Sequence, residues 1–303
     1  MTQSMVVGLI GIGQLGLPVA TNLLRDGFRV TGYRRSNREA FVKRGGVALE
    51  SAAAVTREAD ILLLCLPGEE ALNQAMNGPQ GVLAALKPGQ IVIELGTYSK
   101  AFKLAHARRI EEHGGRPLEA EVSGSPPMVL DRKASLYLGG PAALVEECKP
   151  VLDSIGPNQF HLGEFGSAVS MKLIANYLLT IHTLAAAEAI NLGTRAGFDP
   201  KLVADVIKLG AGSSTMFAIR APMMAARAFT PAPGPFSTLE KYLRLGGAMS
   251  AELGCASPLF SAAAPYFFRA LESGMGAEDI SAVLKLLEAD SETRSPAPAP
   301  PNT

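Results

Sequence analysis

The sequence predicts an α/β chain in two parts, an N-terminal doubly wound parallel sheet followed by a C-terminal all-helical domain. Three observations carry this. Between Met5 and about His161, short apolar runs alternate with amphipathic stretches, the βαβα rhythm of a sheet covered by helices. From Gly166 to Gly197 the pattern changes to a long Ala- and Leu-rich segment without proline, and helical periodicity continues beyond it. At 303 residues the chain also exceeds the size at which a single core usually serves.

The elements follow in order. Strand candidates are MVVGLI (5–10), RVTGY (29–33), ILLLCL (61–66), IVIEL (91–95), PLEA (117–120) and SLYL (135–138). An unbroken apolar run such as ILLLCL suits a strand buried on both faces, as the middle of a parallel sheet requires. The segment 166–197 predicts one helix of about 45 Å at the usual rise per residue. Asp199 then Pro200 is a cap and first-turn pair for the next helix, and further helices are expected near 237–252, 258–271 and 277–288. The domains are therefore drawn at 1–163 and 164–290. The ending SPAPAPPNT has no large apolar residue to offset the entropy of ordering, so 291–303 is expected to be a flexible tail.

Charge narrows the function classes. Lys plus Arg and Asp plus Glu number 28 each, so no net field draws the chain to nucleic acid or an acidic membrane surface. Cys65, Cys148 and Cys255 are odd in number and lack metal-ligand spacing, which predicts reduced, buried thiols in a cytoplasmic protein. The four histidines, at 106, 113, 161 and 182, are not spaced as metal ligands either. The most apolar stretch, LLTIHTLAAAEAINLG, carries His182, Glu188 and Asn191 and falls short of the roughly 18 uninterrupted apolar residues of a spanning helix. A soluble protein is expected.

Gly11, Gly13 and Gly16 form G-x-G-x-x-G directly after the first strand and at the start of a helical pattern, with Gln14 and Leu15 in the same turn. In that context each glycine has a task. The first permits the tight turn, the second lets a pyrophosphate approach the backbone, and the third lets helix and strand pack, with the phosphates at the helix's positive end. This is the signature of a Rossmann dinucleotide-binding domain. The second strand ends where a carboxylate would hold a free ribose 2′-hydroxyl, but the chain has Arg34, Arg35 and Ser36, which suit a 2′-phosphate and point to NADPH. Leu66, Pro67 and Thr97 follow two later strands at the sheet's ligand-binding edge. Thr97 either meets the nicotinamide end of the cofactor or, with Ser99, merely caps the next helix.

Lys172 and Asn176 are four residues apart and share one face of the long helix. Among Met171, Leu173, Ile174 and Leu178, the Lys172 ammonium either snorkels to water or sits where a reaction needs it. With GLIGIGQLG at 8–16, VSGS at 122–125 and G-x-x-x-x-x-K-L-x-x-N from Gly166 to Asn176, the chain resembles the β-hydroxyacid dehydrogenases, which include 3-hydroxyisobutyrate dehydrogenase and tartronate semialdehyde reductase. The likeness runs from Val6 to about Leu287, the second part resembling the C-terminal domain of 6-phosphogluconate dehydrogenase.

That resemblance implies that Lys172 is the general acid or base, that Asn176 helps hold the substrate, and that Ser123 with Gly124 binds its carboxylate. The expected reaction is hydride transfer between NADPH and a short aldehyde or keto acid, or the reverse on a 3-hydroxy acid. Lys241 is a candidate substrate-binding cation or an ordinary helix lysine. Three departures stand out. Asp-Ala-Pro-Val-Ser-Gly-Gly of the family appears here as Glu119 to Ser125, with Glu121 in place of the proline. Later glycines of that loop become Met128 and Arg132, leaving Pro126 and Pro127 to stiffen it, and a family Lys-Asp pair appears as Lys241 and Tyr242. These changes bear on substrate, so an imine or bulkier carbonyl reductase is the alternative within enzymes, and a non-catalytic NADP-binding scaffold the alternative outside them. The apolar long helix predicts a homodimer.

Overall fold

The computed structural model describes residues 5–293, so the tail expected at 291–303 lies, from residue 294 onward, outside the described residues. The chain divides into two compact units between Lys172 and Leu173.

The first unit alternates strands and helices: β1 (Val6–Ile10), α1 (Gly16–Arg25), β2 (Arg29–Tyr33), α2 (Glu39–Val42), β3 (Val47–Ala48), α3 (Ala52–Glu58), β4 (Ile61–Leu64), α4 (Glu69–Met76), β5 (Ile91–Glu94), α5 (Lys100–Glu112), β6 (Arg116–Ser123), α6 (Pro126–Leu130), β7 (Ser135–Gly139), α7 (Ala142–Ile155) and β8 (Asn158–His161). The strands form one sheet in the order β3-β2-β1-β4-β5-β6-β7-β8. Its middle is apolar on both faces because alternate residues point opposite ways. Leu9, Leu63 and Ile93 enter one core, while Ile10, Leu62 and Val92 enter the other. The continuous apolar runs thus have the cause the sequence suggested.

Two expectations about the sheet need correcting. It is not wholly parallel, because β7 runs antiparallel to β6. The link between them is eleven residues long and its only helix is the five-residue α6, at the lower limit of what a parallel crossover needs. Two edge strands, β3 and β8, add to those the sequence pattern predicts. One has two residues and the other, NQFH, is polar and largely exposed, so neither carries an apolar pattern.

Helix α8 (Ser167–Arg195) begins in the first unit and continues as the first helix of the second. By length and mean hydropathy, 1.4 over its most apolar 18 residues, it would suffice to cross a membrane. Leu184, Ala186, Ala187 and Ile190 nevertheless lie in the core of the second unit, which accounts for that composition. The other helices are α9 (Pro200–Ile207), α10 (Thr215–Ala225), α11 (Phe236–Glu252), α12 (Pro258–Glu272), a 3₁₀ turn (Ile280–Val283) and α13 (Leu284–Thr293). Asp199 caps α9 as expected, accepting from the Lys201 and Leu202 backbone N–H groups. The helix placed at 277–288 starts later, because the Asp279 side chain caps the 3₁₀ turn instead. Helix α10 was not read because Pro222 interrupts its pattern. Cys148 is buried, but Cys65 is half-buried and Cys255 exposed, which corrects the expectation of three buried thiols.

Candidate cofactor and catalytic site

The predicted residues of the first unit gather at the carboxyl ends of β1, β2, β4, β5 and β6. The sheet order reverses between β1 and β4, the place where doubly wound sheets bind ligands. Gly11 has φ +102°, and a Cβ there would overlap the Cys65 carbonyl, so the glycine turn packs directly on the end of β4. A Cβ on Gly16 would overlap the Gly11 carbonyl, which is why α1 can start so close to β1. Gly13 differs from both, for no protein atom lies within 4 Å of where its Cβ would be. The turn is thus tight beneath and open above, a shape that fits a dinucleotide pyrophosphate over Gly13. Exposed Gln14 and half-buried Leu15 complete the turn.

After β2, Arg34 donates to the Ile12 carbonyl at 3.1 Å, tying the basic loop to the glycine turn. Arg35 and Ser36 are exposed, and Arg35 donates to Gln74 Oε1 at 3.3 Å. Arg38 lies over the Tyr33 ring and donates to the Arg34 and Leu49 carbonyls. Three guanidinium groups therefore stand at this strand end, with no carboxylate among residues 34–38.

The loops after β4 and β5 are joined by the buried Tyr98, whose hydroxyl donates to the Leu66 carbonyl at 2.8 Å. Pro67 next to it is exposed. Ser99 caps α5 by accepting from the Phe102 N–H. Thr97 takes no part in that cap. It is buried, and its hydroxyl donates to Glu121 Oε2 at 2.5 Å.

Beneath Thr97 lies a charged cluster that the sequence reading did not find. Lys103 of α5 is fully buried, with Nζ 2.7 Å from Glu121 Oε1, 3.0 Å from Glu119 Oε1 and 2.7 Å from the Gly96 carbonyl. Glu119 in turn accepts from the N–H groups of Gly166, Ala168 and Val169, fastening the start of α8 to β6. Glu94, the residue beside Glu119 in the sheet, accepts from the Gly96 N–H at 2.8 Å. Burial pushes the Glu94 carboxyl up to about 8 against the pull of Lys103, so it holds its proton at neutral pH. Burial also raises Glu121, with Lys103 opposing it. Burial disfavours the Lys103 ammonium, yet Glu121, Glu119 and Glu94 together hold it above the ordinary lysine range. The available signal was two glutamates at alternate positions of an otherwise apolar strand, a pattern that demands a buried cation nearby.

Ser123 ends β6, and Gly124 follows with φ +155° and room for a Cβ only 3.0 Å from the Ala134 Cβ. Arg132 adopts φ +57°, a conformation that suits the glycine it replaces. Lys172 does not snorkel. It is 8% exposed, and Nζ donates to the Val122 carbonyl at 2.9 Å, which places the ammonium beside the Ser123–Gly124 corner. Asn176, half-buried, lies four residues further along α8. Lys241, on α11 of the second unit, is half-buried over the Tyr242 ring at 5.4 Å. Among the described residues no group of three or more His, Cys, Asp or Glu is placed to hold a metal ion.

Comparison with known proteins matches residues 6–163 to the family model described as the NAD binding domain of 6-phosphogluconate dehydrogenase. Residues 166–287 match the model described as NAD-binding of NADP-dependent 3-hydroxyisobutyrate dehydrogenase. Among curated relatives, 2-(hydroxymethyl)glutarate dehydrogenase of Eubacterium barkeri is 31% identical over 292 residues, covering 95% of this chain and 96% of that protein. L-Threonate dehydrogenase of Cupriavidus necator is 33% identical over 286 residues, covering 92% and 95%. A solved 3-hydroxyisobutyrate dehydrogenase from Mycobacterium tuberculosis, with L-serine, superposes with a TM-score of 0.86 at 25% identity, covering 94% of this chain and 99% of that one.

Proposed function

This chain belongs to the β-hydroxyacid dehydrogenase family and is an oxidoreductase, and from that premise we propose that it reduces a short aldehyde or keto acid with NADPH, or oxidises the matching 3-hydroxy acid with NADP. The observation that carries the reading is the buried Lys172 ammonium beside the Ser123–Gly124 corner. When bound, NADPH supplies the hydride. The glycine turn receives its pyrophosphate over Gly13, Arg34, Arg35 and Ser36 hold the 2′-phosphate, and Leu66, Pro67 and Thr97 border the nicotinamide end.

The protein's part in the chemistry is to handle charge and protons. As the carbonyl oxygen of the substrate gains negative charge, the Lys172 ammonium stabilises it and then gives up a proton from Nζ; in oxidation the free amine takes that proton back. Ser123 and the Gly124 backbone hold the substrate carboxylate, which fixes the carbonyl relative to Lys172. We assign Asn176 and Lys241 substrate-binding roles on family resemblance. The 2-(hydroxymethyl)glutarate and L-threonate named for the relatives are both hydroxy acids, consistent with a small carboxylate substrate.

We further read the protein as a cytoplasmic homodimer. Leu192, Phe198, Leu202 and Val206 line an open apolar groove on the second unit, and each is more than half exposed, a surface that a second copy of the chain would cover. The test of the activity follows NADPH and NADH absorbance with succinic semialdehyde, glyoxylate, tartronate semialdehyde, methylmalonate semialdehyde and a cyclic imine. Turnover of at least one carboxylate-bearing aldehyde, faster with NADPH, is expected. Tight NADPH binding with no turnover would favour the scaffold, and turnover of the imine alone would favour the imine reductase.

A further inference from the structure

The Lys103–Glu121 pair lies outside the chemistry described so far, and burying it is costly unless it serves a purpose. Glu121 stands where the family resemblance places a proline, so this chain has added a charged side chain under its cofactor loop. The chemistry of the three groups fixes their hydrogen bonds. An ammonium has only donors, so Glu121 Oε1, at 2.7 Å from Lys103 Nζ, must accept. Of the three carboxylates around Lys103, Glu119 and Glu121 contact Nζ directly, whereas Glu94 is held by the Gly96 N–H. The second Glu121 oxygen, Oε2, lies 2.5 Å from the Thr97 hydroxyl and accepts its single proton. What Thr97 has left to offer a ligand is lone pairs.

We propose that Lys103 and Glu121 are positioning residues that make the Thr97 hydroxyl an obligate acceptor, so that the cofactor loop selects a ligand presenting an N–H, the carboxamide nitrogen of the nicotinamide. This rests on the reading of Thr97 as a residue at the nicotinamide end of NADP. Substituting Glu121→Gln inverts the arrangement. The Lys103 ammonium still demands an oxygen, so the glutamine carbonyl turns to it and the NH₂ faces Thr97. Thr97 then accepts from below and donates outward. The buried charge is balanced in that variant, because Lys103 remains paired with Glu119.

The experiment is equilibrium binding, by calorimetry, of NADP and of its 3-acetylpyridine analogue, in which a methyl ketone replaces the carboxamide and no N–H remains. The native protein is expected to bind NADP about five- to tenfold more tightly than the analogue, the worth of one hydrogen bond. Glu121→Gln is expected to abolish or reverse that preference, and Thr97→Val, which leaves the charged pair in place, to abolish it. Equal affinity of the native protein for the two compounds would overturn the proposal, as would either folded variant that keeps the native preference. If Glu121→Gln does not fold, Glu121→Pro, the residue the family resemblance places there, replaces it: it frees the Thr97 proton and is expected to reduce the preference, and an unchanged preference would overturn the proposal. Absence of NADP binding in the native protein would instead overturn the cofactor assignment on which the proposal rests.

Discussion

Replacing Glu94 by glutamine should change how stability depends on pH, and by an amount set by its burial. The carboxyl is fully buried at the end of β5 and titrates at about 8 in the folded chain, against an ordinary value of 4.5. Below pH 4.5 both folded and unfolded chains carry the proton and the group has no effect on stability. Between 4.5 and 8 the unfolded chain has released it while the folded chain keeps it, so the native protein binds one proton more. Stability must therefore fall as pH rises through that window, by about 1.4 kcal/mol per pH unit from this residue, and level off above pH 8. Glutamine keeps an oxygen for the Gly96 N–H, 2.8 Å away in the native chain, and cannot ionise. Urea denaturation of both proteins at half-unit steps from pH 5 to 9 measures the effect. The difference in unfolding free energy should grow in favour of Glu94→Gln up to about pH 8 and then stay constant. Parallel stability curves across the range would refute the reasoning, because they would mean that Glu94 ionises alike in both states.

Further outcomes follow from the cofactor site and the second unit. Gly13→Ala should fold with a stability change below about 1 kcal/mol, since no protein atom lies within 4 Å of its Cβ position, yet it should lose most NADPH affinity in fluorescence titration. Arg35→Glu should weaken NADPH about ten- to hundredfold while leaving NADH within about threefold, and equal losses for both would remove the 2′-phosphate assignment. Leu192 is 72% exposed at the apolar groove, so Leu192→Asp should shift the proposed homodimer to monomer in light scattering at micromolar concentration without lowering its helix content.

Much of the fold was legible because its signals are local. The strand runs at β1, β2, β4 and β5 and the glycine turn depend on periodicity and on φ, which neighbouring residues dictate. The length of α8 could be read from unbroken helical composition, and the start of α9 from Asp199 and Pro200. Direction and edges were harder. The antiparallel return into β7 goes with a link of eleven residues that holds only one short helix, and β3 and β8 have too little apolar surface to declare themselves. The positions of Gly11, Arg34, Thr97 and Ser123 at or just after strand ends, and of Lys172 in the second turn of α8, followed from order along the chain. Lys103 did not, because the helix KAFKLAHARR looks like a solvated basic face, and only the strand β6 folded against it shows that one of its lysines is enclosed by carboxylates.

In the proposed reaction the Lys172 ammonium, held on the Val122 carbonyl, supplies the proton to the substrate oxygen. Lys172→Ala, assayed beside the native protein for NADPH affinity and for turnover of whichever semialdehyde the native chain reduces, tests it most directly. NADPH affinity is expected to stay within about twofold and turnover to fall by about 10²- to 10⁴-fold, the usual contribution of a positioned acid. A folded Lys172→Ala protein that turns over at the native rate would contradict it.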